Sequence, residues 1–297
     1  MDILCVGYAV YDLIFSADEF PLENTKYQVE SFIESGGGPA ANAAYLLSKW
    51  HVDCGFSGAI GDDHYGQQII NEFTAVGTDI RALEVYPGES SSVSMVWVNT
   101  ETGTRTIINS RRKLEPKNLI SIASEDPKII LFDGHIPKAS IEAMELFPNA
   151  LTILDAGSVR EGTVLLADKV DYLLVSERFA KDFCESAMES ETDLREALEK
   201  LQSLNGKHVA ITLGERGLVY WDNGFHWMQA EDVKSIDSTG AGDIFHGAFA
   251  YGLLNNYRFT DNLKFSSKVA AISSTRKGAR DSIPSLDELI DKKDGSA

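Results

Sequence analysis

Short apolar segments alternate with stretches of helical spacing along most of the chain. The apolar segments lie at 3–10, 128–133, 151–155, 172–175 and 209–213. The stretches between them carry apolar residues at helical intervals, and the most acidic stretch covers 192–203. Alternating strands and helices of this kind predict an α/β fold, with a mostly parallel central sheet that helices cover on both faces.

A different pattern, in which polar and apolar residues alternate, predicts strands outside that sheet. Residues 22–35 alternate in this way, and two strand-like runs within 91–112 flank Thr102-Gly103, as in a hairpin. We therefore expect lid strands from about 22–35 and 91–112 that form a small β-sheet. No internal repeat or interdomain linker interrupts the chain, so the sequence predicts a single domain over residues 1–297.

The chemistry centres on the stretch 237–243, Asp-Ser-Thr-Gly-Ala-Gly-Asp, which leads into a helical pattern. Its small residues let the backbone approach a ligand closely. A helix start presents free N–H groups and the positive end of the helix dipole, which together favour a bound anion. Asp243 falls in the first turn of this helix. A carboxylate beside a bound phosphate suits a general base next to a transferring phosphoryl group, and an ordinary capped helix is the alternative interpretation.

Two further glycine-rich segments and one acidic residue add candidate binding positions. Segment 35–42 precedes a helix, where glycines allow close backbone approach but also serve simple turns. Segment 212–217, Thr-Leu-Gly-Glu-Arg-Gly, follows a strand, and its amides could meet nucleotide phosphates or form a hairpin turn. Asp12 follows the first strand, at the edge where α/β sheets bind ligands. It could accept hydrogen bonds from sugar hydroxyls or cap a turn.

The composition excludes several classes of partner. The chain has 27 Lys and Arg against 45 Asp and Glu, and its formal net charge is −18. Nucleic acids and anionic membranes bind basic faces, so we expect neither as a partner. The N-terminus lacks the basic start of a signal peptide, and Cys5, Cys54 and Cys184 are too widely spaced for a zinc motif. We expect a cytoplasmic protein with reduced thiols.

Four motifs resemble those of the PfkB (ribokinase-like) carbohydrate kinases, in the order that the family has them. Segment 237–243 resembles the family signature, with Ser238 where many members have Thr. Gly37, Gly38 and Asn42 match the GG-x-x-AN loop, and the spelling GGGPAA most resembles the sulfofructose kinase and fructokinase-like branch. Segments 212–217 and 275–279 resemble the TLG-x-x-G and T-R-K-G-A motifs. The resemblance covers essentially the whole chain and implies a ribokinase-like fold.

The resemblance implies a role for each motif. ATP would donate its γ-phosphoryl group to a primary hydroxyl, with Mg²⁺ on the phosphates. Asp243 would accept the hydroxyl proton, and charge on the transferring group would be stabilised by the amides of Gly240, Ala241 and Gly242. The sugar would be held by Asp12, Gly37, Gly38 and Asn42, with its far end facing Lys26, Asn109, Arg111, Arg112 and His135. The nucleotide would be held by Ser176, Thr212, Gly214, Gly217, Gly240 and Gly242.

Cation binding and assembly are also implied by the resemblance. A monovalent cation, K⁺, would have as ligands Asp237, Thr239, Ser273, Arg276, Gly278 and Ser282. One motif departs from the family, because the N-x-x-E that organises Mg²⁺ reads Ser176-Glu177-Arg178-Phe179 here. Glu177 is the candidate that compensates. In relatives the lid often supplies a dimer contact, so we expect a homodimer through the lid sheet.

Several functions fit these residues. The first is an ATP-dependent sugar kinase that acts on a ketohexose or related sugar. An anionic group on that sugar, as in sulfofructose, is favoured by the basic residues and disfavoured by His135, because neutral histidine binds anions less well than arginine. A ribokinase or nucleoside kinase of the same fold is the second, and a non-catalytic sensing protein is the third. Asp243 disfavours the sensing protein, because a protein that only binds its ligand does not need a general base.

Overall fold

A computed structural model describes residues 1–30, 32–102 and 104–290. The strands are β1 (Ile3–Val6), β2 (Val10–Ala17), β3 (Phe32–Gly37), β4 (Cys54–Gly61), β5 (Leu83–Tyr86), β6 (Val93–Asn99), β7 (Arg105–Ser110), β8 (Ile129–Phe132), β9 (Leu151–Ala156), β10 (Tyr172–Ser176), β11 (His208–Thr212), β12 (Leu218–Trp221) and β13 (Phe225–Met228). The helices are α1 (Pro39–Lys49), α2 (His64–Val76), α3 (Pro137–Leu146), α4 (Glu161–Leu166), α5 (Glu177–Cys184), α6 (Glu191–Asn205), α7 (Ala241–Leu254), α8 (Phe259–Ser274) and α9 (Leu286–Ile290).

The main sheet of the described chain has nine strands in the order β13-β12-β11-β10-β9-β8-β1-β4-β5. Neighbours from β5 to β11 run parallel, and β12 and β13 are antiparallel additions at one side. The predicted α/β fold with a mostly parallel sheet is therefore confirmed. The carboxyl ends of the parallel strands meet at one edge, and the loops after β1, β8, β9 and β10 open there together.

Strand β8 shows why helices cover both faces of this sheet. Its four residues are all buried, and they alternate between two hydrophobic clusters. Ile129 and Leu131 pack on the side of α1, α7 and α8, whereas Ile130 and Phe132 pack on the side of α3 and α6. Such a strand reads as a continuous apolar run, because neither face meets water. No helix in the described part of the chain is both long and apolar enough to cross a membrane.

The small sheet has the order β3-β2-β6-β7 and forms the lid. The lid strands expected within 91–112 are confirmed as β6 and β7, although Gly103 of the expected turn lies outside the described residues. The strand expected over 22–35 is wrong for most of its length, because only Phe32–Gly37 pairs as a strand. The preceding segment packs through Tyr27, whose ring meets Trp97 edge-on at 5.9 Å.

The centre of the lid is β2, which the apolar pattern had merged with the first strand. The strand expected over 3–10 ends at Val6, and the chain then enters the lid at Val10. Gly7 lies at this break, where a Cβ atom would collide with the carboxylate of Asp133. Asp12 therefore lies on a lid strand, not in a turn after β1.

Candidate active site

The turn before α7 forms the centre of the candidate active site. Gly240 caps the helix at φ 74°, a left-handed conformation that favours glycine. The Ala241 N–H donates a hydrogen bond to the Ser238 carbonyl at 3.2 Å. The amides of Gly240 and Gly242 have no acceptor within the described chain. The expected set of three anion-binding amides is thus reduced to two, because Ala241 already donates within the turn.

Asp243 lies in the first turn of α7 and is partly exposed. Its Oδ2 accepts a hydrogen bond from Asn42 Nδ2 at 2.8 Å. This bond joins segment 35–42, which we call the sugar loop, to the start of α7. Burial and the neighbouring Asp155 carboxylate raise the pKa of Asp243 to about 7, and the Asn42 donor opposes that shift. A carboxyl group that titrates near neutral pH has the proton affinity that a general base needs.

His246 and Asp155 are the buried neighbours of this base. His246 Nδ1 lies 2.7 Å from the Gly242 carbonyl and 3.2 Å from Asp155 Oδ2. Its Nε2 lies 3.3 Å from the Leu174 carbonyl, so both ring nitrogens face oxygen atoms. Burial raises the pKa of Asp155, while the His246 ring opposes that effect. The pair is therefore fixed from two strands of the main sheet and contributes to the field around Asp243.

A second buried carboxylate, Asp133, follows β8 at the same edge. Its Oδ2 accepts hydrogen bonds from the Tyr8 amide at 2.8 Å and the Ala40 amide at 3.3 Å. Its Oδ1 accepts one from the His135 amide at 2.9 Å. Burial acts to raise the pKa of Asp133, but the His135 ring and these amides outweigh it, and the pKa is lowered. Asp133 thus fastens the end of β1 to the start of α1.

The residues expected to hold a sugar come together beside Asp243. The Cα of Gly37 lies against the Asp12 carboxylate, so that a Cβ there would collide with it. Gly38 has φ 103° and lies against the Tyr8 carbonyl, and its own carbonyl accepts the Asn42 amide at 2.8 Å. Burial raises the pKa of Asp12 to about 6. Both glycines therefore allow close packing of the loop around a buried carboxylate.

Tyr8 gathers most of the remaining expected sugar contacts into a cluster that we call the rim. Its hydroxyl donates to Asn109 Oδ1 at 3.1 Å, its ring stacks on His135 at 5.0 Å, and the Arg111 guanidinium lies 5.2 Å from the ring centre. Arg111 Nη2 also donates to the His135 carbonyl at 2.9 Å. Lys26 lies exposed between β2 and β3 and makes no hydrogen bond or ion pair with another described residue.

Arg160 completes the rim, and the sequence patterns did not indicate it. Its Nη1 contacts His135 Nε2, its Nη2 contacts Ser158 Oγ, and its buried Nε has no partner within the described chain. Burial lowers the pKa of Arg160, the Asp133 carboxylate opposes that effect, and the like charge of Arg111 adds to it. The available signal was its place in the loop after β9, at the ligand-binding edge.

An arginine of the lid also contacts the turn before α7, which we call the catalytic turn. Arg105, the first residue of β7, donates from Nη1 to the Ser238 carbonyl at 3.1 Å and to Ser238 Oγ at 2.9 Å. The positive charge of Arg105 lowers the pKa values of both Asp12 and Asp243, against the effect of their burial. An arginine in an alternating strand resembles an ordinary solvated residue, so the sequence pattern could not single it out.

The expected nucleotide loop is a tight turn between β11 and β12. Thr212 ends β11, and Gly214 and Gly217 have φ values of 61° and 87°. The Gly217 amide donates to the Gly214 carbonyl at 3.0 Å, so it is already used inside the turn. A Cβ atom on Gly214 would meet open space, which leaves the Gly214 backbone accessible to a ligand. Of these two glycine amides, only that of Gly214 remains available to a phosphate.

The segment that replaces N-x-x-E caps α5. Ser176 Oγ accepts the Phe179 amide at 3.1 Å and donates to the Gly157 carbonyl at 2.8 Å. The Phe179 side chain is fully buried, and Glu177 forms an ion pair with Arg216 of the nucleotide loop at 2.8 Å. The described residues contain no group of three or more His, Cys, Asp or Glu side chains that could hold a metal ion. Glu177, the candidate that compensates for the departure from N-x-x-E, is thus already paired with a cationic side chain.

Part of the expected monovalent-cation site is assembled. Asp237 accepts the Thr239 amide at 2.8 Å and the Gly278 amide at 2.9 Å, so it joins two loops. Thr239 Oγ1 is buried without a partner in the described chain, which fits a cation ligand. Local partners engage the other expected side chains: the hydroxyls of Ser273 and Ser282 donate to the carbonyls of Ala270 and Ala279, and Arg276 pairs with Glu288.

The fold and this site define a class of protein. A base in the first turn of an anion-binding helix, beside a buried polar loop, is the arrangement of a phosphotransferase that acts on an alcohol. The chain belongs to the pfkB family of carbohydrate kinases, whose family model matches residues 1–286. It is an ATP-dependent carbohydrate kinase.

Relatives of known activity align with nearly the whole chain. A ribokinase of Schizosaccharomyces pombe is 28% identical over 314 residues, which cover 97% of this chain and 96% of the relative. A deoxyribokinase of Salmonella typhi is 26% identical over 300 residues and covers 97% of each chain. The crystal structure of ribokinase from Thermotoga maritima superposes with a TM-score of 0.81 at 27% identity, over 98% of each chain.

These relatives bear on the branch of the family that the sequence suggested. The spelling of the sugar loop suggested the sulfofructose kinase and fructokinase-like branch, but ribokinases and a deoxyribokinase match along the full length. The family is therefore certain, and the sugar loop does not single out that branch.

Proposed function

We propose that this protein transfers the γ-phosphoryl group of ATP to a primary hydroxyl of a ketohexose or related sugar, with Asp243 as the general base. The observation that carries the proposal is the hydrogen bond between Asn42 and Asp243. It joins the sugar loop to the phosphate-binding turn at one point. A hydroxyl held by that loop would therefore lie within reach of the base and face a phosphate at the start of α7.

Each group of the site has a role in this reaction. Asp243 accepts the hydroxyl proton, and the amides of Gly240 and Gly242 stabilise negative charge on the transferring group. Asp12 orients the sugar through its hydroxyls, which supplies the positioning share of catalysis. Arg105 holds the lid against the catalytic turn. Mg²⁺ supplies charge neutralisation on the phosphates when bound, and Glu177 is the carboxylate available to its water ligands.

The rim favours an acceptor that carries an anionic group at the end away from the reacting hydroxyl. Arg111 and Arg160 both contact His135, and neither forms an ion pair with a carboxylate of the described chain. Guanidinium groups bind carboxylate, sulfonate or phosphate oxygens with two parallel hydrogen bonds, so an anion would satisfy both.

A neutral pentose or hexose is the competing acceptor. The relatives include ribokinases and a deoxyribokinase. Lys26, expected among the contacts of an anionic group, makes no contact with the rim. Ribose, deoxyribose and fructose are therefore the reference substrates against which an anionic acceptor must be compared.

The test is kcat/KM with ATP for fructose, ribose, deoxyribose, fructose 6-phosphate, 6-deoxy-6-sulfofructose and adenosine. It compares the wild type, Arg160→Ala and the control Lys138→Ala, whose side chain is 85% exposed on α3. Loss of a charge-assisted contact costs about 1.5–3 kcal/mol, so Arg160→Ala should lower kcat/KM for the anionic sugars roughly 10- to 100-fold.

The outcomes separate the parts of the proposal. Preference for an anionic sugar that is lost only in Arg160→Ala supports both the kinase and the rim. Preference for a neutral sugar, unchanged in Arg160→Ala, removes the anionic acceptor and keeps the sugar kinase. Phosphorylation of adenosine alone would replace the sugar by a nucleoside.

We also propose that the lid sheet forms the contact of a homodimer. Ile107 and Ile108 of β7 are 51% and 62% exposed, and Phe32 of β3 is 48% exposed. Exposed apolar residues gathered on one small sheet are typical of an interaction surface. Light scattering of the wild type should report a dimer, and Ile108→Asp should shift it to monomer. A wild type that is monomeric at micromolar concentration rejects this contact.

A cytoplasmic location is a further proposal, which rests on composition alone.

A further inference from the structure

A buried arginine lies behind the sugar loop. Arg280 is 2% exposed, and its guanidinium lies between the rings of Tyr45 and Phe73, at 4.8 and 5.0 Å from their centres. Its Nη1 donates to Glu72 Oε2 at 2.6 Å. The same Glu72 carboxylate accepts the Gly36 amide with both oxygens, at 2.9 and 3.0 Å. One buried ion pair thus holds the backbone of the sugar loop.

The same guanidinium determines how the amide of Asn42 is oriented. Arg280 Nε donates to Asn42 Oδ1 at 3.1 Å, and Asn42 Nδ2 donates to Asp243 Oδ2 at 2.8 Å. An asparagine amide has one acceptor end and one donor end. Because Arg280 can only donate, it engages the acceptor end, and the donor end must face the base. A reversed amide would place an oxygen against the Asp243 carboxylate and an N–H group against the guanidinium.

We propose that Arg280 is a positioning residue that holds Asn42 as a hydrogen-bond donor to Asp243 and so sets the proton affinity of the base. The proposal rests on the proposed function, in which Asp243 is the general base. The chain Glu72–Arg280–Asn42–Asp243 connects α2, the segment after α8, the sugar loop and the catalytic helix. In the proposed function only Asn42 and Asp243 of this chain would contact a substrate.

Other charged groups face the base and must be separated from this effect. Asp155, His246 and Arg105 act on Asp243, and Asp12 lies within the field of both Arg280 and Glu72. Removing Arg280 alone would leave Glu72 charged and partly buried, which destabilises a fold. Replacing both members of the pair removes charges of opposite sign together. The long-range field at Asp243 then changes little, and the loss of the Asn42 anchor remains.

The experiment uses the double variant Glu72→Gln/Arg280→Met, whose glutamine can still accept the Gly36 amide. Arg280→Lys keeps a donor that can reach one of the two partners, and it serves as the conservative variant. The control is Glu288→Gln, which removes the surface ion pair to Arg276 on the same C-terminal segment. Two readouts are followed in all four proteins. One is the carbon-13 titration of the Asp243 carboxyl without ligand, assigned with Asp243→Asn, and the other is the pH profile of kcat with the best acceptor of the panel.

The double variant should raise the midpoint of the Asp243 titration by about one pH unit, the shift expected for one lost hydrogen bond. The acid limb of kcat should move with it, so that activity falls about tenfold at pH 6 and recovers at pH 9. Arg280→Lys should lie between the wild type and the double variant, and Glu288→Gln should not shift. A folded double variant with an unchanged carboxyl midpoint overturns the proposal. Failure of the wild type to phosphorylate any acceptor instead rejects the proposed function, and the carboxyl titration still decides the role of Arg280.

Discussion

Asp133, which is buried, and Asp243, which is partly exposed, are two carboxylates at the same edge of the main sheet, and their surroundings differ. Asp133 accepts three backbone amides, from Tyr8, Ala40 and His135. Asp243 accepts one side-chain amide, from Asn42. Burial acts to raise the pKa of both groups, yet the pKa of Asp133 is lowered and that of Asp243 is raised to about 7.

The neighbouring charges and the number of donors together account for this difference. A carboxylate that accepts several N–H groups keeps its charge inside a protein, whereas one with few donors near another carboxylate binds a proton more readily. Asp133 therefore fits a structural anion that fixes the chain, and Asp243 fits a group that exchanges a proton during turnover.

The largest expected effect comes from neutralising the base. Asp243→Asn should lower kcat by on the order of 10²- to 10⁴-fold, the usual contribution of a positioned base, while the affinities for ATP and sugar change little. Steady-state kinetics and calorimetry check this result. Near-normal turnover in the variant would remove the base assignment and the contrast with Asp133.

The same variant should be more stable than the wild type above neutral pH. The folded pKa of Asp243 is about 7 against an ordinary aspartate value of 3.8, so the folded state binds a proton that the unfolded state has released. Stability therefore falls as pH rises from about 4 to 7. Asp243→Asn should show no gain at pH 4 and a gain on the order of 1–3 kcal/mol at pH 8. Urea unfolding at the two pH values measures it, and equal gains at both would contradict the raised pKa.

Asp133→Asn should have the opposite signature. An asparagine side chain must turn its own N–H₂ group toward at least one backbone donor, so the variant should lose about 3 kcal/mol of stability at pH 7. Because the folded pKa of Asp133 is lowered, its contribution is present above the unfolded pKa and is lost as pH falls through the folded value. The difference from the wild type should shrink toward pH 3 in urea melts. A stable variant that has lost only activity would make Asp133 a catalytic group.

Asp12 is an intermediate case, with a pKa raised to about 6 by burial. Asp12→Ala should weaken sugar binding by about 1.5–3 kcal/mol, the contribution of hydrogen bonds to a charged group, and leave ATP binding nearly unchanged. Calorimetry with each ligand distinguishes the two effects. Unchanged sugar affinity would make Asp12 a purely structural residue of the lid.

The smallest effect is expected at Asp237, a carboxylate that accepts two backbone amides. A bound K⁺ near Thr239 would hold the catalytic turn in place, so activity should rise a few-fold with K⁺ over Na⁺ or Li⁺. A dialysed enzyme assayed across the three chlorides tests this expectation. Equal rates in all three salts would leave Asp237 as a structural anion like Asp133.

Much of the fold could be predicted, because buried parallel strands leave an unmistakable apolar pattern. The segments that became β8 to β11 were all located from that pattern within one residue at each end. The lid was predicted less well. Its central strand β2 follows β1 after only three residues, so one apolar run concealed two strands in different sheets. Nothing in local hydrophobicity marks the point where a chain leaves one sheet for another.

The residues of the site also fall into two groups, those that the sequence indicates and those that it does not. Glycine-rich turns and Asp243 carry a local signature, because close backbone approach needs particular residues in sequence order. Arg105, Arg160 and Glu72 carry none, since each acts through partners far away in the chain. Arg280 was visible within a motif, but its role depends on Asn42, 238 residues earlier. Long-range hydrogen bonds of this kind appear only when the chain is folded.

The lid is joined to the body through two neighbouring strands, the inner strand β2 and the edge strand β3. Strand β2 begins three residues after β1, and β3 leads through Gly38 directly into α1. Such a lid cannot swing as a free flap on a flexible linker. When it tilts, it must pull on the loop that carries Gly37 and on the first turn of α1. We therefore expect any movement of the lid during sugar entry or product release to be coupled to this loop, so that a substitution that stiffens β2 should slow both steps.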